Sequence, residues 1–270
     1  MQSKRTMTSV KIKEVLSALE QFAPLPLQES WDNAGLQIGL TEAEVSGALL
    51  CLDVTEEIID EAVCRGCNLV VSHHPLLFRG LKQISDSTYV QRTVWKAISN
   101  GICVISMHTN LDNALHGVNF NIAHRIGLQN ARFFAQKTVA GMDCGSGVIG
   151  ELPCEISSTE FILHVKKQME AQCAMCNELL RRPIRHVAIC GGAGDFLLPD
   201  AIHEGADAFI TGEMHYHQYF GYSQQIQICV IGHYESEHFT TQIFESIISS
   251  ACPGLKVVTS QVNTNPIIYL

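Results

Sequence analysis

The residues best equipped for chemistry are histidines and acids placed at the ends of apolar runs. The stretch VVSHHPLLF (residues 70–78) closes such a run with His73 and His74 and stops it with Pro75. Each imidazole has two ring nitrogens that need partners, so two adjacent ones are awkward in a core unless both are engaged. Two other runs end on a histidine followed four positions later by an acid, His108 to Asp112 and His233 to Glu237. A fourth run ends on Glu213, with His215 and His217 close behind. Imidazole with carboxylate suits Zn, Fe, Mn, Ni or Co. A single HxxxD or HxxxE is a common chance spacing, and one histidine at a strand end is ordinarily a hydrogen-bonded residue and nothing more. Two such pairs together with a dyad point instead to a metal centre. In an extended segment successive side chains alternate in direction. His73 and His74 are therefore expected to point apart and serve two ions, held about 3.5–4 Å from each other as in two-metal sites.

The elements that must position these groups read as alternating strands and helices. A helical period at Ile12, Val15, Leu16 and Leu19 is ended by Pro24 and Pro26, and WDNAGLQIG then leads through a loop into a short strand. Strands follow in SGALLCLDVT, NLVVS and ICVISMH, separated by helices from Thr55 through Cys67 and from Ser87 through Gly101. Another helix is expected over GVNFNIAHRIGL, while residues 129–185 carry mixed signals around a helix entered at Ser157, Ser158 or Thr159. HVAIC, ADAFIT and QICVIG are strands, DFLLPDAIHEG is helical with Pro199 near its first turn, and TTQIFESIISSA is a helix. The halves match one another: RGCNLVVSHH (65–74) aligns with EGADAFITGE (204–213), and ICVISMHTNLD (102–112) with QICVIGHYESE (227–237). This pattern predicts an α/β fold with mainly parallel or mixed sheets and an internal duplication. In such sheets ligands bind where strands end at their carboxyl edge.

Totals narrow the function classes. The chain has 270 residues, long for one simple domain and short for two independent ones. A net charge of −9 speaks against a broad basic surface, so no direct DNA binding is expected. No apolar run approaches the roughly 18 residues of a membrane span. The opening MQSKRTMTSV lacks the apolar core of a secretory signal and is short and Arg-poor for a mitochondrial presequence. A cytoplasmic setting is expected, with mitochondria as the alternative. Eleven scattered cysteines, most of them inside apolar runs, look like reduced core residues. The CxxC pairs Cys64–Cys67 and Cys173–Cys176 lie too far apart in sequence for an ordinary zinc ribbon.

Other features have two readings. Gly191, Gly192 and Gly194 follow a strand and precede a helix, the place for a phosphate cradle or for a tight structural turn. Asp32, beside Trp31 and Asn33, could hold a water or ligand amine, or simply form an Asx turn. His116, His124, His164, His186 and His203 show no partner pattern; His238 beside Glu237 is ambiguous.

With these residues in hand, the chain resembles the Nif-three-like family, often labelled GTP cyclohydrolase 1 type 2. The resemblance runs nearly end to end through SWDNAGLQIG, LDVT, VVSHHPLLF, SMHTNLDNALHGVN, GGAGDF, TGEMHYHQ and IGHYESEHF, in the family's order. It implies the compact two-lobed form without an inserted domain, with lobes of about 1–128 and 129–270 and a metal site between them. It further implies a homohexamer built as a trimer of dimers and two divalent metal ions per chain, held by His73, His74, Asp112, His233 and Glu237. His108 would stand behind the ligands or face substrate, and Glu213, His215 and His217 would lie near the cavity without being ligands. The family label implies a small-molecule substrate, GTP, opened by water to formate and a dihydroneopterin triphosphate, with His108, Asp32 or Glu213 as acid–base group. A two-metal hydrolase of another nucleotide or phosphoester is a second reading. A metal-binding regulatory or interaction protein without that activity is a third.

Overall fold

The computed structural model describes residues 9–270; the N-terminal stretch read for targeting signals lies outside the described residues except for its last two positions. The chain forms two compact units. The first takes residues 9–25, Ser30–His108 and Thr241–Thr264, and the second takes Pro26–Glu29, Thr109–Thr240 and Asn265–Leu270.

In the first unit, α1 (Ile12–Phe22) buries Ile12, Val15 and Leu19, one face of a helix at 3–4 residue spacing. Then come β1 (Gly35–Ile38), β2 (Ala48–Cys51), α2 (Glu56–Cys64), β3 (Leu69–Ser72), α3 (Tyr89–Ser99) and β4 (Cys103–Ser106). β2, β3 and β4 are buried at every position, as parallel strands covered on both faces must be, which is why they read as unbroken apolar runs. Local chemistry starts the helices. Thr55 Oγ1 accepts the Ile58 N–H at 3.3 Å, and Thr88 Oγ1 accepts the Gln91 N–H at 3.2 Å. Glu56 and Glu57 add charge that suits the positive end of α2.

The second unit opens with α4 (Thr109–Asp112) and α5 (Val118–Arg125), then β5 (Gln129–Phe134), a hairpin of β6 (Lys137–Val139) and β7 (Met142–Cys144), and β8 (Gly147–Ile156). α6 (Ser158–Gln168) is closed at its start by a reciprocal pair, Ser157 Oγ accepting from Glu160 N and Glu160 Oε2 from Ser157 N. β9 (Met175–Cys176), β10 (Ile184–Cys190), α7 (Leu198–His203), β11 (Ala208–Thr211), β12 (Gln227–Val230) and α8 (His233–Glu237) follow. The six-stranded sheet has the order β5-β8-β10-β11-β12-β9; β10, β11 and β12 are parallel, the rest antiparallel. Residues 129–185 gave mixed signals because they form antiparallel strands with half-exposed faces and register shifts at both β5–β8 and β8–β10.

After α8 the chain runs through α9 (Thr240–Ala251) to β13 (Val257–Thr259). β13 pairs parallel with β2, Val257 to Thr259 against Ala48 to Leu50, and completes a five-stranded sheet of order β1-β4-β3-β2-β13. The sequence reading draws the lobe boundary after residue 128, whereas the chain leaves the first unit after His108 and returns to it at Thr241. That return is a long-range strand pairing, which no local pattern announces. The fold is mixed α/β, and the duplication is visible as two parallel sets: β2, β3 and β4 in the first sheet, β10, β11 and β12 in the second. Each sheet rests on its own apolar cluster, the first including Leu49, Ile58, Val70, Val94 and Val104, the second Ala188, Leu198, Phe209, Ile228 and Val230.

Candidate metal centre

In the first unit β3 and β4 end side by side, with Ser72 opposite Ser106. The two hydroxyls lie 2.8 Å apart, and both reach the His74 carbonyl, at 2.9 Å from Ser72 Oγ and 3.3 Å from Ser106 Oγ. The chain therefore bends immediately after Ser72, while the His74 N–H donates to the Leu52 carbonyl at 3.0 Å. This corrects the expectation that strand alternation sends the dyad apart. His73 and His74 lie beyond the last strand residue, and their rings sit together with centroids 4.9 Å apart. One donor atom from each of His73, His74 and His108 falls within 4.8 Å of the others.

Each of these rings is held from behind. His73 Nδ1 donates to the Met107 carbonyl at 2.8 Å. A carbonyl only accepts, so the proton is on Nδ1 and the lone pair on Nε2, an atom shut away from solvent. His74 Nδ1 lies 2.7 Å from Asp53 Oδ1, and His108 Nδ1 lies 2.8 Å from Asp32 Oδ1. The Asp32 side chain is fully buried and that of His108 nearly so. A carboxylate or carbonyl behind one ring nitrogen is what orients a histidine whose other nitrogen binds a metal. Trp31 and Phe78, both exposed, flank His108 with ring centroids 6.0 and 6.2 Å away.

The second unit carries its own donors. His233 and Glu237 open and close α8, one helical turn apart and hence on one face. His233 Nδ1 lies 2.9 Å from Glu213 Oε1, and its Nε2 lies 3.1 Å from Glu237 Oε2. The imidazole is thus set between two carboxylate oxygens, one at each ring nitrogen. Asp112 closes α4 with its Oδ1 buried, and Glu237 is only 4% exposed. Burial pushes the Cys190 thiol well above its usual range, and Asp112, Glu237 and Asp195 push it the same way. Three imidazoles in the first unit, and an imidazole beside a buried carboxylate in the second, are donor types that a divalent transition metal takes.

The glycines after β10 take the structural-turn reading. Gly191 N–H donates to Asn119 Oδ1 at 2.8 Å, Gly192 N–H to Ser236 Oγ at 2.9 Å and Gly194 N–H to Thr211 Oγ1 at 3.1 Å, so these groups already have acceptors. Gly192 has φ +58°, and a Cβ there would collide with Glu237 Oε1. The turn is glycine so that Glu237 can pack against bare backbone.

His215 remains apart from these donors, with its side chain 90% exposed and Nδ1 3.5 Å from Asp195 Oδ2. His217 makes ring contacts with Tyr216, in its own 3-10 turn, and with Phe220, which ends that turn. His164 Nε2 donates to the Ile126 carbonyl at 2.8 Å, as a structural residue would. Burial, with Arg125 nearby, pushes the His238 imidazole down to about 4, which keeps it neutral. Asp53 is the residue the sequence reading missed. Its signal was available: it ends the run ALLCLD as His73 and Glu213 end theirs, but it lies outside the repeated segments.

A family model described as Duf34/NIF3 (NGG1p interacting factor 3) matches residues 10–266. A Clostridium acetobutylicum protein named GTP cyclohydrolase 1 type 2 homolog is 31% identical over 263 residues, covering 96% of this chain and 98% of its own length. A Campylobacter jejuni protein of the same name is 32% identical over 261 residues, covering 96% of this chain and 100% of its own. Staphylococcus aureus protein SA1388, a solved structure, matches with a TM-score of 0.87 at 27% identity over 97% of this chain and 99% of that one. A Bacillus cereus protein related to NIF3 matches with a TM-score of 0.87 at 23% identity over 97% and 100%, a likeness of fold.

Proposed function

Since the chain belongs to the Duf34/NIF3 family, we propose that it is a metal-dependent hydrolase acting on GTP or a related nucleotide, with two divalent ions per chain held by His73, His74, Asp112, His233 and Glu237. The supporting observation is the treatment of the histidines. His73, His74, His108 and His233 each have Nδ1 engaged by a carbonyl or carboxylate oxygen, which leaves Nε2 as the ring nitrogen that could ligate a metal. Five ligands spread over two ions leave coordination positions open, as catalytic rather than structural sites do. When bound, such ions supply Lewis acidity and lower the pKa of an attacking water.

The chain's own residues would do the rest. Asp32 fixes the orientation of His108 through Nδ1 and leaves Nε2 as the ring atom suited to passing a proton. Trp31 and Phe78 beside it present exposed ring faces on which a planar base can rest. Glu213 backs His233, and both residues line a pocket of about 380 Å³. The family resemblance extends the reading to a homohexamer, a trimer of dimers, which light scattering measures directly.

Turnover on a nucleotide panel with metal-reconstituted protein, against His74→Ala, tests the reading. Formate released from GTP and abolished in the variant supports it. Activity on other nucleotides with silence on GTP removes the GTP assignment. Metal bound but silence throughout transfers the weight to a regulatory or interaction protein, the reading that the family's description as an interacting factor favours.

A further inference from the structure

The CxxC spacing of Cys173 and Cys176 hides a different pairing. β9 is a two-residue edge strand, and its register on β12 sets Cys176 opposite Cys229 and Met175 opposite Val230. Residues directly opposite in an antiparallel ladder have Cα atoms about 4.5–5.5 Å apart and side chains on one face. Disulfides span Cα separations of about 4.4–6.8 Å, so a bond between these two residues requires no shift of either strand. Cys173 is placed elsewhere, lining a pocket together with Tyr269. Cys176 is exposed, whereas Cys229 is fully buried.

We propose that Cys176 and Cys229 form a thiol–disulfide site, closed by a low-molecular-weight disulfide such as oxidised glutathione, that fastens β9 to β12. The exposed Cys176 sulfur, as thiolate, attacks one sulfur of the reagent; the reagent's S–S bond breaks and one thiolate leaves with the electron pair. Cys229 then gives its proton to solvent and attacks Cys176 Sγ, expelling the second thiolate. Two electrons pass from the two cysteines to the reagent, which leaves as two thiols. The order follows from accessibility, and burial with Cys176 nearby pushes the Cys229 thiol up to about 12, which makes the second step slow and faster at higher pH. The bond has a consequence for the pocket lined by Glu213 and His233, because Cys173 and Met175 form one wall of it. Closing the bridge holds that wall against the strand from which His233 emerges. The proposal does not depend on the hydrolase reading.

The test is incubation of the full-length chain with oxidised glutathione, trapping of remaining thiols with an alkylating reagent, and peptide mapping without reduction. The expected result is a peptide pair joined through Cys176 and Cys229 with loss of two of the eleven thiols. Cys173→Ser keeps the joined pair, and Cys176→Ser, a change at an exposed edge position, abolishes it. A bridge between Cys173 and Cys176 overturns the proposal. So does glutathione resting on Cys176 while Cys229 stays reduced, or a bridge that joins two chains.

Discussion

Asp53 Oδ1 stands 2.7 Å behind His74 Nδ1, and Asp53 Oδ2 accepts the Thr264 hydroxyl at 2.7 Å. The histidine is thus aimed by a carboxylate from the end of β2, and that carboxylate is held by the segment following β13. Three pieces of chain far apart in sequence fix the direction of one ring nitrogen.

Removing the carboxylate should loosen the metal without unfolding the unit. Asp53→Ala is expected to weaken metal affinity roughly 10–100-fold, the usual cost of losing the acceptor behind a metal-bound histidine. Asp53→Asn keeps an acceptor oxygen and should fall between that variant and the parent. Competition against a chromophoric chelator measures this; equal affinity in all three proteins would sink the proposed role.

His108 is assigned to proton transfer, so its loss should separate chemistry from metal content. His108→Ala is expected to retain the ions that His74→Ala loses, while turnover on the accepted substrate drops on the order of 10²–10⁴-fold. Asp32→Asn keeps an oxygen behind His108 Nδ1 and should likewise retain the ions, with a smaller loss of turnover than His108→Ala. Metal analysis beside a pH–rate profile checks both; loss of metal from His108→Ala would make it a ligand instead.

Gly232, immediately before His233, has φ +102° and ψ 144°, a backbone region that is essentially glycine's own. A Cβ there would also collide with Glu235 Oε2 and lie 2.8 Å from the Tyr269 hydroxyl. Gly232→Ala should destabilise the protein by about 1–3 kcal/mol through the backbone alone. An unchanged urea midpoint would contradict this.

Asp207 predicts an acid sensitivity far from the metal residues. Burial alone would raise its carboxyl pKa, but the N–H groups of His186 and Arg185, at 2.8 and 2.9 Å, and the Arg182 guanidinium outweigh it and hold the carboxyl below its usual 3.8. A folded pKa below the unfolded one means that this carboxylate stabilises the protein above pH 3.8 and ceases to do so as pH falls through the folded value. Urea midpoints taken from about pH 6 downward should therefore fall more steeply in the parent than in Asp207→Asn, which cannot titrate. Parallel curves would refute the assignment.

Much of the local structure is legible because its causes are local. Thr55 and Ser157 cap helices through N–H groups three residues on, and β2, β3 and β4 read as apolar runs because both of their faces are covered. The donor residues stand out for a similar reason: a histidine or acid that ends a buried run contrasts with everything before it. The half-exposed antiparallel strands of residues 129–185 offer no such contrast, and their register shifts break what alternation there is.

The sequence by itself determined which side chains are available as donors, the strand ends on which they stand, and the duplication that repeats the arrangement. Only the tertiary structure decided how those side chains are aimed. His73 and His74 lie together rather than apart because Ser72 and Ser106, 34 residues from each other, meet at the strand ends and draw the His74 carbonyl toward them. Asp53 stands behind His74, and the Met107 carbonyl behind His73, because β2, β3 and β4 pair in parallel and end at one edge. Donor identity is a property of single residues, whereas the lone pair that binds is set by the acceptor on the other ring nitrogen, and that acceptor arrives through strand pairing between distant parts of the chain.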